Sequence, residues 1–82
     1  MIKLTLEEIK NLDKKYYMNT FGDRLPVAFE KGEGIALYST DGEKYYDFLG
    51  GIAVNALGHN NKILTEAIKE QADKVLHTSN LY

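Results

Sequence analysis

The run from Tyr45 to His59, YYDFLGGIAVNALGH, constrains this chain more than any other stretch. It starts like an aromatic strand, passes through small residues and ends in a Gly-His pair. A strand inside a core does not need Gly50, Gly51, Gly58 and Asn55 among its apolar residues. A backbone that passes close to a ligand or to another chain does, because glycine adopts positive φ and leaves room for a neighbour. Residues 49–59 are therefore expected to form an irregular loop, with positive φ carried by the glycines and tolerated at Asn55.

Around that loop the pattern is α+β. Thr5 to about Met18 predicts a helix, forming an N-terminal arm over residues 1–18. Thr5 and Glu8 make a capping-box pair, and Leu6, Ile9, Leu12 and Tyr16 recur at spacings of three and four. Such a stripe packs on its own domain or docks as an arm on a partner subunit. Asn19 to Pro26 reads as a connector. Residues 27–48 predict three strands, Val27 to Glu30, Ile35 to Ser39 and Lys44 to Phe48, with turns at Lys31–Gly34 and Thr40–Glu43. Asp41-Gly42 carries the signal of a type I′ hairpin. Turns this short force antiparallel neighbours, hence a three-stranded meander. Such a meander needs a helix or more sheet over one face. A second long helix is expected over 61–76, capped by Asn60 or Asn61. Ile63, Leu64, Ala67, Ile68, Ala72, Val75 and Leu76 form its apolar face, and Glu70 with Lys74 an i,i+4 pair. Residues 77–82 read as a turn.

Size and charge narrow the function classes. An 82-residue chain buries only roughly 60–65% of its unfolded surface, so stability in isolation is expected to be marginal. No cysteine is present to staple it, and no Cys/His cluster suggests a metal. The net charge is −2, and Arg24 is the only arginine. No basic stripe exists to neutralise phosphates, so nucleic-acid binding is not expected. The longest uncharged run, Phe48 to Gly58, is too short and polar to span a membrane. The N-terminus has no apolar core region of a secretory signal, so a cytoplasmic location is the expectation.

The candidate chemical groups read mostly as structural. GGIAVNALG matches neither GxGxxG nor GxxxxGK[ST]. His59 is placed to bond exposed backbone before the helix. His77 would favour the dipole at that helix's end. Asp47 is expected to hydrogen-bond the following loop. No Ser/His/Asp triad is evident, and no lysine stands out as a Schiff-base former, which would need desolvation or a neighbouring cation. On its own chemistry the chain is catalytically incomplete.

Two blocks carry a family resemblance: GEGIALYSTDGEKYYDFLGGIAVNALGH and EAIKEQADKVLHTSNLY. The span from about Tyr17 to Tyr82 resembles the N-terminal part of class III aminotransferases, which use pyridoxal phosphate. GIAVNALGH and HTSNLY look most like the acetylornithine branch, with the ornithine, succinyldiaminopimelate and 4-aminobutyrate branches as alternatives. One departure is the absence of the His-Pro that usually follows the Gly-His; here Asn60-Asn61-Lys62 stands instead.

The resemblance implies a fold type I aminotransferase of which this chain is part of the small domain, inactive alone. The whole enzyme would move an amino group from N-acetylornithine to 2-oxoglutarate, in arginine biosynthesis. It implies a homodimer whose N-terminal segments lie near an active site built at the subunit interface. The cofactor lysine, the aspartate facing the pyridine nitrogen, the phosphate loop and the carboxylate-binding arginine would lie downstream. No residue of this chain is therefore expected to be catalytic, to bind the cofactor or to bind a metal. Gly51, Ile52, Ala53, Val54 and Asn55 would line the substrate entrance. Asn80 and Tyr82, in the turn Ser79-Asn80-Leu81-Tyr82, would be similarly placed, and Phe21 would lie near the substrate side chain. The rival reading is a freestanding module that binds or self-associates without catalysis.

Overall fold

A computed structural model describes residues 3–82; Met1 and Ile2 of the expected arm lie outside the described residues. The element order is α1 (Leu6–Tyr16), β1 (Phe29–Glu33), β2 (Ala36–Ser39), β3 (Lys44–Tyr46), α2 (Gly50–Ala53) and α3 (Lys62–Ala72). The three strands form one antiparallel sheet in the order β1-β2-β3. The chain is thus α+β, with the expected meander between the two long helices.

Helix α1 begins where its cap dictates. Thr5 is the N-cap, and its Oγ1 accepts from the Glu8 amide at 3.2 Å. The reciprocal half of the capping box differs from expectation. The Glu8 carboxylate accepts from the Thr5 hydroxyl at 3.1 Å. Glu7 and Glu8 lie in the first turn and Lys14 and Lys15 in the last, matching the dipole. The helix stops at Tyr16, two residues earlier than its pattern suggests. Arg24 then folds the connector back: its Nη1 donates to both Asp13 carboxylate oxygens at 2.7 and 2.6 Å. Its guanidinium also lies 4.8 Å from the Tyr17 ring centre.

The first hairpin is shifted from its expected place. Lys31, Gly32 and Glu33 lie inside β1, and the turn is only Gly34-Ile35, with Gly34 at φ +57°. A bulge between Phe29 and Lys31 absorbs one residue, Glu30, which pairs with Lys3 at 3.3 Å. The second hairpin is not type I′. That turn needs positive φ at both central residues. Here Gly42 is left-handed (φ +83°) while Asp41 is not. The Gly42 amide bonds Ser39 O at 3.0 Å and the Ser39 amide bonds Glu43 O at 2.9 Å. That is a three-residue loop closed by an αL glycine. Ser39, buried, locks it, its Oγ accepting from the amides of Asp41 and Glu43 at 3.3 and 3.1 Å. Strand β3 ends at Tyr46, so Asp47 and Phe48 leave the ladder.

Asn61 caps α3, its side chain accepting from the Leu64 amide at 3.2 Å. The helix ends at Ala72, not near Leu76. The Gln71 amide group then binds the Val75 carbonyl at 2.9 Å, holding the chain after the helix. His77 is therefore well past the helix end, and the dipole role expected for it is not available. The Glu70–Lys74 pair does form, at 3.4 Å on an exposed surface.

The core is almost absent. Ala36 is the one buried apolar residue among those described. Among the described elements, only neighbouring strands pack on each other. The radius of gyration is 16.0 Å, against about 12 Å for a compact chain of this length. Leu12 and Tyr16 of the α1 stripe, Ile63, Leu64 and Ile68 of α3, and Leu76 beyond it remain exposed.

Candidate functional site

Asp47 sits where β3 gives way to the glycine loop, and it organises the loop's two ends. Its Oδ1 accepts from the Gly50 amide at 2.8 Å, the bond to the next loop that its position suggests. Its Oδ2 lies 2.7 Å from His59 Nε2. Facing an ionised carboxylate, that ring nitrogen has to carry the proton. The His59 backbone is clamped to the first hairpin. The Gly34 amide bonds His59 O at 2.9 Å, and the His59 amide bonds Gly34 O at 2.7 Å. One carboxylate thus ties both ends of the loop together, and His59 ties the loop to the sheet. The sequence suggests that the His59 side chain bonds exposed backbone. Instead its main chain does the backbone pairing and its ring takes the carboxylate.

Glycines permit this close approach. A Cβ on Gly32 would lie 2.6 Å from His59 Cβ and Cγ, so the imidazole packs directly on the bare backbone of β1. Asn60, with φ +55°, turns the chain out of the bridge, and its Nδ2 donates to Glu33 Oε2 at 3.1 Å.

Between the two ends lies a left-handed turn. Gly50, Gly51, Ile52 and Ala53 have φ of +59, +65, +64 and +62°. Amides of Ala53 and Val54 bond Leu49 O and Gly50 O, each at 2.9 Å. The glycines adopt this hand freely, but Ile52 and Ala53 do not. A non-glycine residue there costs about 1–2 kcal/mol, and a β-branched one is the most unusual. Asn55, expected to tolerate positive φ, does not need to; the strain falls on Ile52 and Ala53 instead. The turn projects Ile52 and Val54 into solvent, 80% and 74% exposed. Beneath it is an open hollow of about 410 Å³, with Gly34, Asp47, Gly50, Asn55, Gly58 and His59 in its wall.

The Gly50 amide first, and the His59 ring second, hold the Asp47 carboxyl below the ordinary value of 3.8. A carboxylate with a lowered folded-state pKa contributes stability that is present above 3.8 and lost as the pH falls through the lowered value. Protection of the Gly50 amide from hydrogen exchange is therefore expected to hold at neutral and mildly acidic pH. It should be lost only in acid below the usual carboxylate range. Asp47→Asn should erase that pH dependence; an unchanged acid profile in the variant would assign it to another group.

Of the residues singled out from sequence, the structure gathers only the loop set, Gly51, Ile52, Ala53, Val54 and Asn55, around one turn. Phe21 is 85% exposed in the connector and Tyr82 98% exposed at the end of the chain. Asn80 lies in a turn closed by the Leu81 amide on Ser79 Oγ at 3.1 Å. None of these three lines the hollow. The Asp47–His59 pair is the feature that sequence reasoning misses, because its partners are twelve residues apart and meet only through the bridge to Gly34.

The arrangement holds a loop. No lysine lines the hollow, and all nine are exposed. Among the described residues no group of three His, Cys, Asp or Glu is placed to bind a metal, and no helix is long and apolar enough to cross a membrane.

Comparison with known proteins decides the family. The family model described as Aminotransferase class-III matches residues 17–82. This chain belongs to the class-III aminotransferases. An acetylornithine aminotransferase from Clostridium acetobutylicum is 52% identical over 71 residues, covering 87% of this chain and 18% of the relative. The chain thus spans about a fifth of the length of the curated relatives it matches. A solved acetylornithine aminotransferase from Elizabethkingia anophelis superposes with a TM-score of 0.86 at 32% identity, covering 98% of this chain and 20% of that one. A taurine:2-oxoglutarate aminotransferase from Bifidobacterium kashiwanohense, solved with pyridoxal phosphate and glutamate, gives 0.84, also at 32% identity, covering 100% and 19%. The class-III chain therefore has the fold of fold type I aminotransferases over its described length. Its extended shape is that of the matching segment in these larger enzymes, since the match takes in nearly every residue of this chain.

Proposed function

We propose that this class-III chain is the N-terminal portion of an acetylornithine aminotransferase, transferring the amino group of N-acetylornithine to 2-oxoglutarate in the cytoplasm. The observation that carries it is the identity of about half of all residues to acetylornithine aminotransferases over 87% of the chain. The nearly coreless structure supports a larger whole. So many exposed apolar side chains need cover, supplied here by the remaining polypeptide and by a second subunit of a homodimer.

Pyridoxal phosphate is the cofactor of this reading, and its holders are not among the described residues. In this reading the Schiff-base lysine and the carboxylate-binding arginine belong to the rest of the polypeptide. The share of this segment is substrate shaping and subunit contact. Gly51, Ile52, Ala53, Val54 and Asn55 line the substrate entrance, with Phe21 near the donor side chain and Asn80 and Tyr82 reaching toward the partner's site. The exposed position of Ile52 and Val54 on a rigidly held turn supports that assignment.

A second reading keeps the reaction and changes the donor. Its support is the equal identity, 32%, to the acetylornithine and the taurine enzymes of known structure. The full-length polypeptide separates the two. It is expected to show cofactor absorbance and to form glutamate from 2-oxoglutarate. N-acetylornithine should be at least about tenfold better in kcat/KM than ornithine, succinyldiaminopimelate, 4-aminobutyrate or taurine. A different preferred donor would transfer the assignment to that branch. Absent absorbance in a folded full-length protein would end the aminotransferase reading.

A further inference from the structure

We propose that Asp47 is a positioning residue for the amino donor. Its carboxylate holds the left-handed turn in the shape that presents Ile52 and Val54. The inference rests on the reading above, in which this turn lines the substrate entrance.

The hand of the turn is not explained by the turn itself. Its amides bond the Leu49 and Gly50 carbonyls, but a right-handed turn satisfies its amides in the same i to i−4 way. The residues oppose it, since Ile52 and Ala53 are both left-handed. Local packing does not compensate, because Ile52 and Val54 are largely exposed. The remaining restraint among the described residues is the clamp. Asp47 Oδ1 fixes the direction of the Gly50 N–H at 2.8 Å, where the left-handed run begins. Asp47 Oδ2 holds the His59 ring at 2.7 Å, and the His59 main chain is bonded to Gly34. The turn is thereby oriented relative to the sheet at both ends. Without the carboxylate, Ile52 can relax to negative φ, which sends its side chain and that of Val54 in other directions. Those two side chains face a donor's carbon chain; they carry no charge to recognise the carboxylates of 2-oxoglutarate. Their displacement therefore acts on the donor more than on the acceptor.

The test is steady-state kinetics on the full-length polypeptide with Asp47→Ala, Asp47→Asn and the double variant Asp47→Ala with Ala53→Gly. Asp47→Ala is expected to lower donor kcat/KM about tenfold or more, chiefly through KM, while the value for 2-oxoglutarate stays within about threefold. Cofactor absorbance should be unchanged. Asp47→Asn should recover most of the loss, because its amide oxygen still accepts from Gly50. Ala53→Gly should recover part of it by relieving the strain that the clamp opposes. Equal falls for donor and acceptor, no fall at all, or no recovery in Asp47→Asn would each overturn the assignment. Should Asp47→Ala not fold, Asp47→Asn decides alone: a donor value reduced about two- to threefold with an unchanged acceptor value supports it, and equal values overturn it. An unmodified full-length chain that lacks absorbance and transamination overturns the function reading and this inference together. Intact transamination with no donor bias in the variants overturns this inference only.

Discussion

Gly32→Ala is expected to expel the His59 ring from its place against β1 and to destabilise the protein by about 3 kcal/mol, the upper end for overpacking a closely fitted site. The added methyl would stand 2.6 Å from both His59 Cβ and Cγ and 3.1 Å from Cδ2. These are the base of the side chain, not a flexible tip. The His59 main chain cannot retreat either, since two hydrogen bonds tie it to Gly34. Gly32 itself is not among the residues with positive φ, so the effect is steric alone. Urea denaturation reads the loss as a lower midpoint at unchanged slope. Hydrogen exchange at Gly50 should rise in the same variant, because the ring that shares Asp47 with that amide has moved. A midpoint equal to that of the unmodified protein would mean that β1 yields at the bulge between Phe29 and Lys31, and that the contact is soft.

The second large effect is expected at Gly58. Here two penalties combine. Gly58 has φ +75°, which costs an alanine about 1–2 kcal/mol. Its Cβ would also lie 2.9 Å from Gly34 O and 3.1 Å from Gly34 C, both main-chain atoms. That oxygen is the one that accepts from the His59 amide at 2.7 Å. The methyl therefore competes with the bridge that anchors the loop, and the combined loss is expected to be about 2–4 kcal/mol. Gly34→Ala provides the comparison. Gly34 is also left-handed, at φ +57°, yet a Cβ there meets nothing within 4 Å. It should cost only about 1–2 kcal/mol, the conformational part by itself. If both variants lose the same amount in thermal or urea unfolding, close approach at the bridge contributes nothing and the backbone conformation accounts for all of it.

Both effects concentrate on one small assembly, made of β1, the Gly34 turn, Asp47 and His59. It matters for the proposed function because the left-handed turn hangs from it. A class-III enzyme in which the bridge is broken should keep the rest of its chain and lose the placement of Ile52 and Val54. Under the proposed function, stability and donor recognition share the same few hydrogen bonds, and the variants at Gly32 and Gly58 are expected to show weaker donor binding at temperatures where they remain folded.

Much of this is legible along the chain, where the signals have a short reach. Thr5 caps α1 and Asn61 caps α3, since an N-cap needs only a side chain and an amide three residues on. The meander comes from two short turns, and the Asp47 bond to the loop from its position at the end of a strand. The class-III family is legible in the Gly-rich run and the later helix block. Other local features mislead. Asp41-Gly42 carries a type I′ signal, but a third loop residue lets Gly42 alone take the left-handed position. The glycines at 32 and 34 look like one turn, yet Gly32 is needed inside a strand because a ring packs on it. The apolar periodicity past Ala72 continues as far as Leu76, but the helix ends at Ala72, and the Gln71 side chain then donates to the Val75 carbonyl.

The residue types alone determined that there would be two amphipathic helices, an antiparallel meander and a loop free to adopt positive φ, because propensity, capping and turn chemistry act within a few residues. Tertiary structure decided which residues of that loop are strained and what holds them. Ile52 and Ala53 take the left-handed conformation that Asn55 was better suited to accept. Asp47 meets His59 because Gly34 and His59 pair as a bridge across 25 positions. No periodicity or local preference encodes a contact of that span. It exists only once the sheet has brought the hairpin beside the loop, where two main chains can approach as closely as bare glycine allows.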